Sequence, residues 1–187
     1  MKQYFDNIDT LKRFTSELDR HQDQLKCQHC SKNDQFVPHS FIYKQCHKAL
    51  AEKVGKRIFC SNRYGHSGCG RPFTLYVASA LPSLQYGTTH LFIFLSSLLA
   101  NFTVKAAYKK ATGQSASRNA WHWLTKVERR LMHYRTILKT RPHTVNTRFS
   151  TRSKRLQILL PTLTRLFSCF GDCPCANFQL LNQCCFI

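Results

Sequence analysis

Cys27-Gln28-His29-Cys30 and Cys60-Ser61-Asn62-Arg63-Tyr64-Gly65-His66-Ser67-Gly68-Cys69-Gly70 frame the first half of this sequence. The first is a CxxC pair. Its two-residue gap lets two thiolates reach one metal from a tight turn. The second pair is wider, with eight residues between its cysteines. Gly65, Gly68 and Gly70 give that longer loop the freedom to fold back. Four thiolates satisfy a closed tetrahedral zinc site, and such a site contributes directly to folding. Residues 27–78 are too few to bury a large core, so a metal staple suits them. Cys27, Cys30, Cys60 and Cys69 are the expected ligands of one structural Zn2+, with Cys46, His47 and His66 as alternatives. A catalytic zinc fits less well. It needs an open coordination position and usually a nearby acid, and the segment holds only Asp34 and Glu52.

Around these cysteines the pattern is strand-like. Phe36-Val37-Pro38 through Phe41-Ile42-Tyr43, Arg57-Ile58-Phe59 and Pro72-Phe73-Thr74-Leu75-Tyr76-Val77 read as strands, with a short helix expected over 44–54. Upstream, Tyr4, Ile8, Leu11, Leu18 and Leu25 recur at helical spacing, which predicts an amphipathic helix over 3–26.

Downstream the chain turns helical. Pro82 precedes a helical stretch near 87–100. A second helix is expected over 103–111, with Thr103 as its cap. Gly113 falls where the chain needs a left-handed residue. A long helix is then predicted from about 116 to 139. Its apolar stripe runs Ala116, Ala120, Trp123, Leu124, Val127 and Leu131, so Trp123 is expected to be buried. Ala120, Leu124, Val127, Leu131, Tyr134 and Leu138 continue as a heptad seam, which predicts self-association through 120–138 or packing on a helix at 156–167.

Charge separates the halves. Residues 1–26 hold five basic and five acidic groups, residues 27–100 eight against two, and residues 101–187 fifteen against two. A net charge of +19 suits a polyanion, with nucleic acid the commonest candidate. A helix pair joined by a short Gly-bearing turn is the arrangement that places its second helix in the DNA major groove. The expected DNA contacts are Ser115, Ser117, Arg118, Asn119, Trp121, His122, Lys126 and Arg129. Arg141, Arg148 and Arg152 lie in a basic arm over 140–155, which also holds Lys154 and Arg155 and would track phosphates.

The fold class expected is α+β: a small zinc-ribbon β-domain at 27–78, then an all-α helix-turn-helix segment at 86–139 with a long C-terminal helix. Residues 1–26 form the N-terminal helix. Residues 140–187 supply the basic arm, a short helix and a tail with Cys169, Cys173, Cys175, Cys184 and Cys185. No apolar leader opens the sequence, and the run Leu91–Ala100 is far shorter than the ~20 residues of a membrane span. A cytoplasmic setting is expected, where closely spaced cysteines are more often metal ligands than disulfides.

The CxxC knuckle, the second pair ending Cys69-Gly70-Arg71-Pro72-Phe73, and the basic passage Lys105 to Leu124 resemble the InsA-like accessory proteins of bacterial insertion sequences. The resemblance covers roughly residues 27–135. It implies zinc ligation by Cys27, Cys30, Cys60 and Cys69, and DNA contact by the helix after Gly113. It also implies binding at element ends, control of transposition or transcription, and a transposase as partner. No strand-transfer or nuclease activity is expected, because such chemistry needs several converging carboxylates. After residue 69 the sequence has only Glu128 and Asp172. A zinc-ribbon adaptor for an acidic protein, a transcriptional regulator unrelated to transposition, and an RNA-binding ribbon remain open alternatives.

Overall fold

The computed structural model describes residues 3–18, 20, 25–44, 50–139 and 153–187. The protein is mixed α+β, and its chain divides into two units. One comprises Met1–Gln85 with Gln179–Cys184, and the other Tyr86–Phe178 with Cys185–Ile187.

The first unit is built on a four-stranded sheet of order β1-β4-β3-β2, with β1 Tyr4–Phe5, β2 Phe36–Lys44, β3 Glu52–Cys60 and β4 Pro72–Val77. β2, β3 and β4 form an antiparallel meander, and β1 runs parallel to β4. Side chains alternate across the sheet, so Ile58 and Cys60 of β3 and Leu75 and Val77 of β4 all enter the core. Phe5, Leu11, Leu18, Leu25 and Phe36 complete it. The helix α1, Ile8–Ser16, packs on β3 and β4.

The helix expected over 3–26 stops at Ser16 and is also shorter at its start. Asn7 ends it there: its side chain accepts from the N–H groups of Asp9 and Thr10 at 3.0 and 2.9 Å, while Thr10 Oγ1 accepts from the Asn7 N–H. This capping box fixes Ile8 as the first helical residue. Tyr4 and Phe5 are thereby released to pair with Tyr76 and Val77. The outer edge of β1 is covered by a side chain. Gln183 Oε1 accepts from the N–H groups of Gln3 and Tyr4 at 2.8 and 2.9 Å, and its Nε2 donates to the Tyr4 carbonyl at 3.1 Å. Gln179, fully buried, donates to the carbonyls of Ala78 and Ala80. Where a helix was expected over 44–54, Lys44 pairs with Glu52 and Tyr43 with Lys53 as hairpin partners; residues 45–49 lie outside the described residues.

The second unit is helical: α2 Thr88–Leu99, α3 Val104–Thr112, α4 Ser117–Arg129, α5 Leu131–Ile137 and α6 Lys154–Phe170, followed by α7 Pro174–Asn182, within which the division falls. Thr103 caps α3, accepting from the Ala106 N–H at 3.2 Å, and Gly113 ends it at φ +73°. Trp123 is the hub of the core. Tyr86, Phe94 and Tyr108 each set a ring edge-on to it, with centroids 5.5, 5.6 and 5.1 Å away. A second aromatic group joins Tyr134, Phe178 and Phe186, and the Tyr134 hydroxyl donates to the Phe186 carbonyl.

The long helix expected from 116 to 139 is broken at Arg130, which ends α4 and starts α5. No proline or glycine marks the break. At the break the Arg130 guanidinium reaches the Cys185 carbonyl at 2.7 Å. Of the heptad seam, Ala120, Leu124, Val127, Tyr134 and Leu138 are buried within this unit, where α5 packs on α6. Pro161 lies inside α6 without ending it. The helix loses an N–H there, and buried Arg135 braces the next turn, donating to the Ile158 carbonyl at 3.2 Å and to Thr162 Oγ1 at 3.3 Å.

Candidate metal centre

The four cysteines singled out by their spacing converge. Cys27 and Cys30 come from the turn before β2, Cys60 ends β3, and Cys69 lies in the loop before β4. Their sulfur atoms all fall within 4.8 Å of one another. Cys27 Sγ is 3.7 Å from Cys69 Sγ, and Cys30 Sγ is 3.6 Å from Cys60 Sγ. Those separations exclude disulfides, whose S–S bond is about 2.05 Å. They fit a tetrahedron: metal–sulfur bonds of about 2.3 Å set sulfur–sulfur edges of about 3.8 Å. An all-sulfur set favours a thiophilic cation over calcium or magnesium, which take oxygen.

Each pair is shaped by its backbone. In the first, the His29 N–H points at Cys27 Sγ at 3.4 Å, and the Ser31 N–H closes on the Cys27 carbonyl at 2.9 Å. In the second, the Cys69 N–H points at Cys60 Sγ at 3.4 Å, and the Gly70 N–H closes on the Cys60 carbonyl at 2.7 Å. The two turns are alike. The wide spacing arises because the Gly68 N–H bonds the Ser61 carbonyl at 2.6 Å, so residues 62–67 leave and rejoin the turn. Without that loop the run would read Cys-Ser-Gly-Cys, a second CxxC. Gly68 is required at this junction: a Cβ there would lie 2.3 Å from the Ser61 carbonyl oxygen and 2.6 Å from Cys60 Sγ. Close approach, not the flexibility that the glycine pattern suggests, is what this position demands.

The electrostatics divide the thiols. Burial raises the Cys27 thiol, but the N–H groups of Cys30 and His29 and the neighbouring thiols outweigh it, bringing it down to about 7. Burial pushes Cys60 up to about 12, and the sulfurs of Cys30, Cys27 and Cys69 add to the rise. A cation among them would supply the charge needed to ionise all four.

Of the alternative ligands, His66 is not in the cluster. It lines a neighbouring cavity, and Cys46 and His47 lie outside the described residues. His29 is turned away, bonded to Arg71 at 2.8 Å and tilted against the Phe73 ring. Among the described residues these four cysteines are the one such cluster. In the tail, Cys175 is buried and its thiol raised by burial, whereas Cys169 and Cys173 are exposed.

The residues expected to meet DNA are arranged as follows. Ser115, Ser117, Arg118, Asn119, His122 and Arg129 are exposed, Trp121 is 44% exposed, and Lys126 is half-buried. Trp123 is buried, as its place in the apolar stripe predicts. No side chain caps the start of α4. Arg141, Arg148 and Arg152 lie outside the described residues. Arg155 does not stand free for phosphate. It forms a bidentate pair with Glu128, with Nε 2.8 Å from Oε1, bonds Thr125 Oγ1 at 3.1 Å and lies over the Trp121 ring. Nothing in the spacing signals that pairing, because the two residues belong to different helices. Among the described residues no helix is long and apolar enough to cross a membrane. Comparison with family models, with curated proteins and with solved structures finds no match.

Proposed function

We propose that this chain is a sequence-specific DNA-binding accessory or regulatory protein of a bacterial transposable element, of the InsA-like kind. It holds one structural Zn2+ on Cys27, Cys30, Cys60 and Cys69 and performs no catalysis of its own. The observation that carries the reading is the two-faced start of α4. Ser117, Arg118, Asn119, Trp121 and His122 are exposed there, while Ala120, Trp123, Leu124 and Val127 anchor the same helix in an aromatic core.

That arrangement suits a recognition helix. α3, the left-handed Gly113 and α4 are read as a helix-turn-helix. The uncapped N–H groups at the start of α4 suit a phosphate, Arg118 suits a guanine edge and Asn119 an adenine edge. The sheet unit is read as a zinc ribbon, in which the metal supplies only structural charge and cross-linking.

Electrophoretic mobility shifts over a salt series test the reading. Binding to duplex DNA should weaken steeply as salt rises. Arg118→Ala should cost about 1–3 kcal/mol on a preferred site and relax its specificity. No shift with any duplex at low salt would instead favour an adaptor for an acidic protein.

A further inference from the structure

The metal centre makes no use of residues 62–67, since Ser61 and Gly68 close the second turn without them. The loop is nevertheless held firmly. Lys32 Nζ donates to the Ser67 carbonyl at 2.6 Å, the Ser67 N–H donates to Gln35 Oε1 at 2.6 Å, and the His66 N–H closes on the Arg63 carbonyl at 3.1 Å. This anchored loop and the β2–β3 hairpin enclose an open cavity of about 570 Å³, lined in part by His39, Phe59, Arg63, Tyr64 and His66. That volume is in the range of small-ligand sites, about 300–1,000 Å³.

The lining is selective. No carboxylate among the described residues contributes to it. Among the described residues Arg63 has no ion-pair partner. One guanidinium and two imidazoles without an acid suit an anion. The rest of the wall is aromatic. His39 meets Phe59 edge-on at 4.8 Å and 71°. Tyr64 is 97% exposed and held at φ +55°, a region that bulky residues seldom adopt. An aromatic ring kept in solvent by a strained backbone gains nothing from packing. A ring so presented can stack on a flat partner.

We propose that this cavity binds one unpaired nucleotide of a single-stranded nucleic acid, its base on the Tyr64 and Phe59–His39 rings and its phosphate on Arg63 and His66. A ring face is available only on an unstacked base, because a duplex hides it. The site belongs to the sheet unit and stands independently of the duplex reading of α4.

The test uses the full zinc-loaded chain and a fluorescein-labelled thymidine oligomer, followed by fluorescence anisotropy. Tyr64→Ala should weaken binding at least about fivefold, and Tyr64→Phe should restore it, because the ring rather than the hydroxyl stacks. Arg63→Ala should weaken it as well. Unchanged zinc content in each variant shows that the centre still forms. An oligomer carrying 5-iodouracil should photo-cross-link to the peptide containing Tyr64. A free nucleoside monophosphate should displace the oligomer better than inorganic phosphate or polyglutamate. Wild-type affinity in both alanine variants would overturn the proposal. Cross-links confined to other peptides would too, as would displacement by phosphate or polyglutamate equal to that by the nucleotide. Duplex affinity should be unchanged in Tyr64→Ala. Failure of the wild-type chain to bind duplex would sink the α4 reading and leave this one standing.

Discussion

The two units solve the same problem with different chemistry. In the sheet unit two turns are tied by four sulfurs within 4.8 Å, beside a modest core of Leu, Ile, Val and Phe. In the helical unit the tie is a wheel of rings around Trp123, each within 5.6 Å. A sulfur cluster acts at one point and needs a cation to act at all. A ring cluster acts through area and contact and needs nothing from solution. One unit should therefore be conditional and the other constitutive.

Metal removal should break the comparison most sharply. Structural zinc contributes about 10–16 kcal/mol of apparent folding energy in small thiolate sites, more than a small domain holds in reserve. A chelator, or Cys60→Ser, should abolish the dispersed amide signals of the sheet unit. Both tryptophans, Trp121 and Trp123, belong to the helical unit. Their emission should stay native, and a parallel collapse would refute the division of labour. The reverse lesion is Trp123→Ala. It should cost about 3–5 kcal/mol in the helical unit, read by thermal melting, with the metal content per chain unchanged by mass spectrometry.

Two glycines sharpen the contrast at smaller scale. Gly68→Ala pushes a methyl against the Ser61 carbonyl and Cys60 Sγ, so metal affinity in competition with a chelator should fall about 10- to 100-fold. Gly113→Ala meets no atom within 4 Å and keeps only the cost of φ +73°. It should lower the stability of the helical unit by about 1 kcal/mol without touching the metal.

What the sequence made legible was local chemistry. The α+β division, the convergence of Cys27, Cys30, Cys60 and Cys69, the turn at Gly113 and the burial of Trp123 each follow from residue type with spacing or period. What stayed hidden depends on partners far along the chain. β1 is two residues long, too short to leave a period, and exists because β4 lies beside it. The stripe of 116–139 reads smoothly through Arg130, and the break there coincides with a contact to the Cys185 carbonyl 55 residues on. Arg155 looks like one more phosphate contact until Glu128 is placed against it. The 62–67 loop obscured a CxxC turn, because spacing alone does not show that the Gly68 N–H rejoins Ser61.

The hold of Gln179 and Gln183 on the sheet unit has a consequence for biosynthesis. The carbonyl of Ala78 waits for a donor that the ribosome adds 101 residues later, and the N–H of Gln3 for an acceptor 180 residues later. At bacterial-to-eukaryotic elongation rates the first delay alone is roughly 5–20 s. Throughout it the nascent sheet carries an open edge at β1, the kind of template on which other chains add strands. The four thiols are translated long before that edge is closed, so early metal capture would keep the growing chain from being wholly unfolded while it waits.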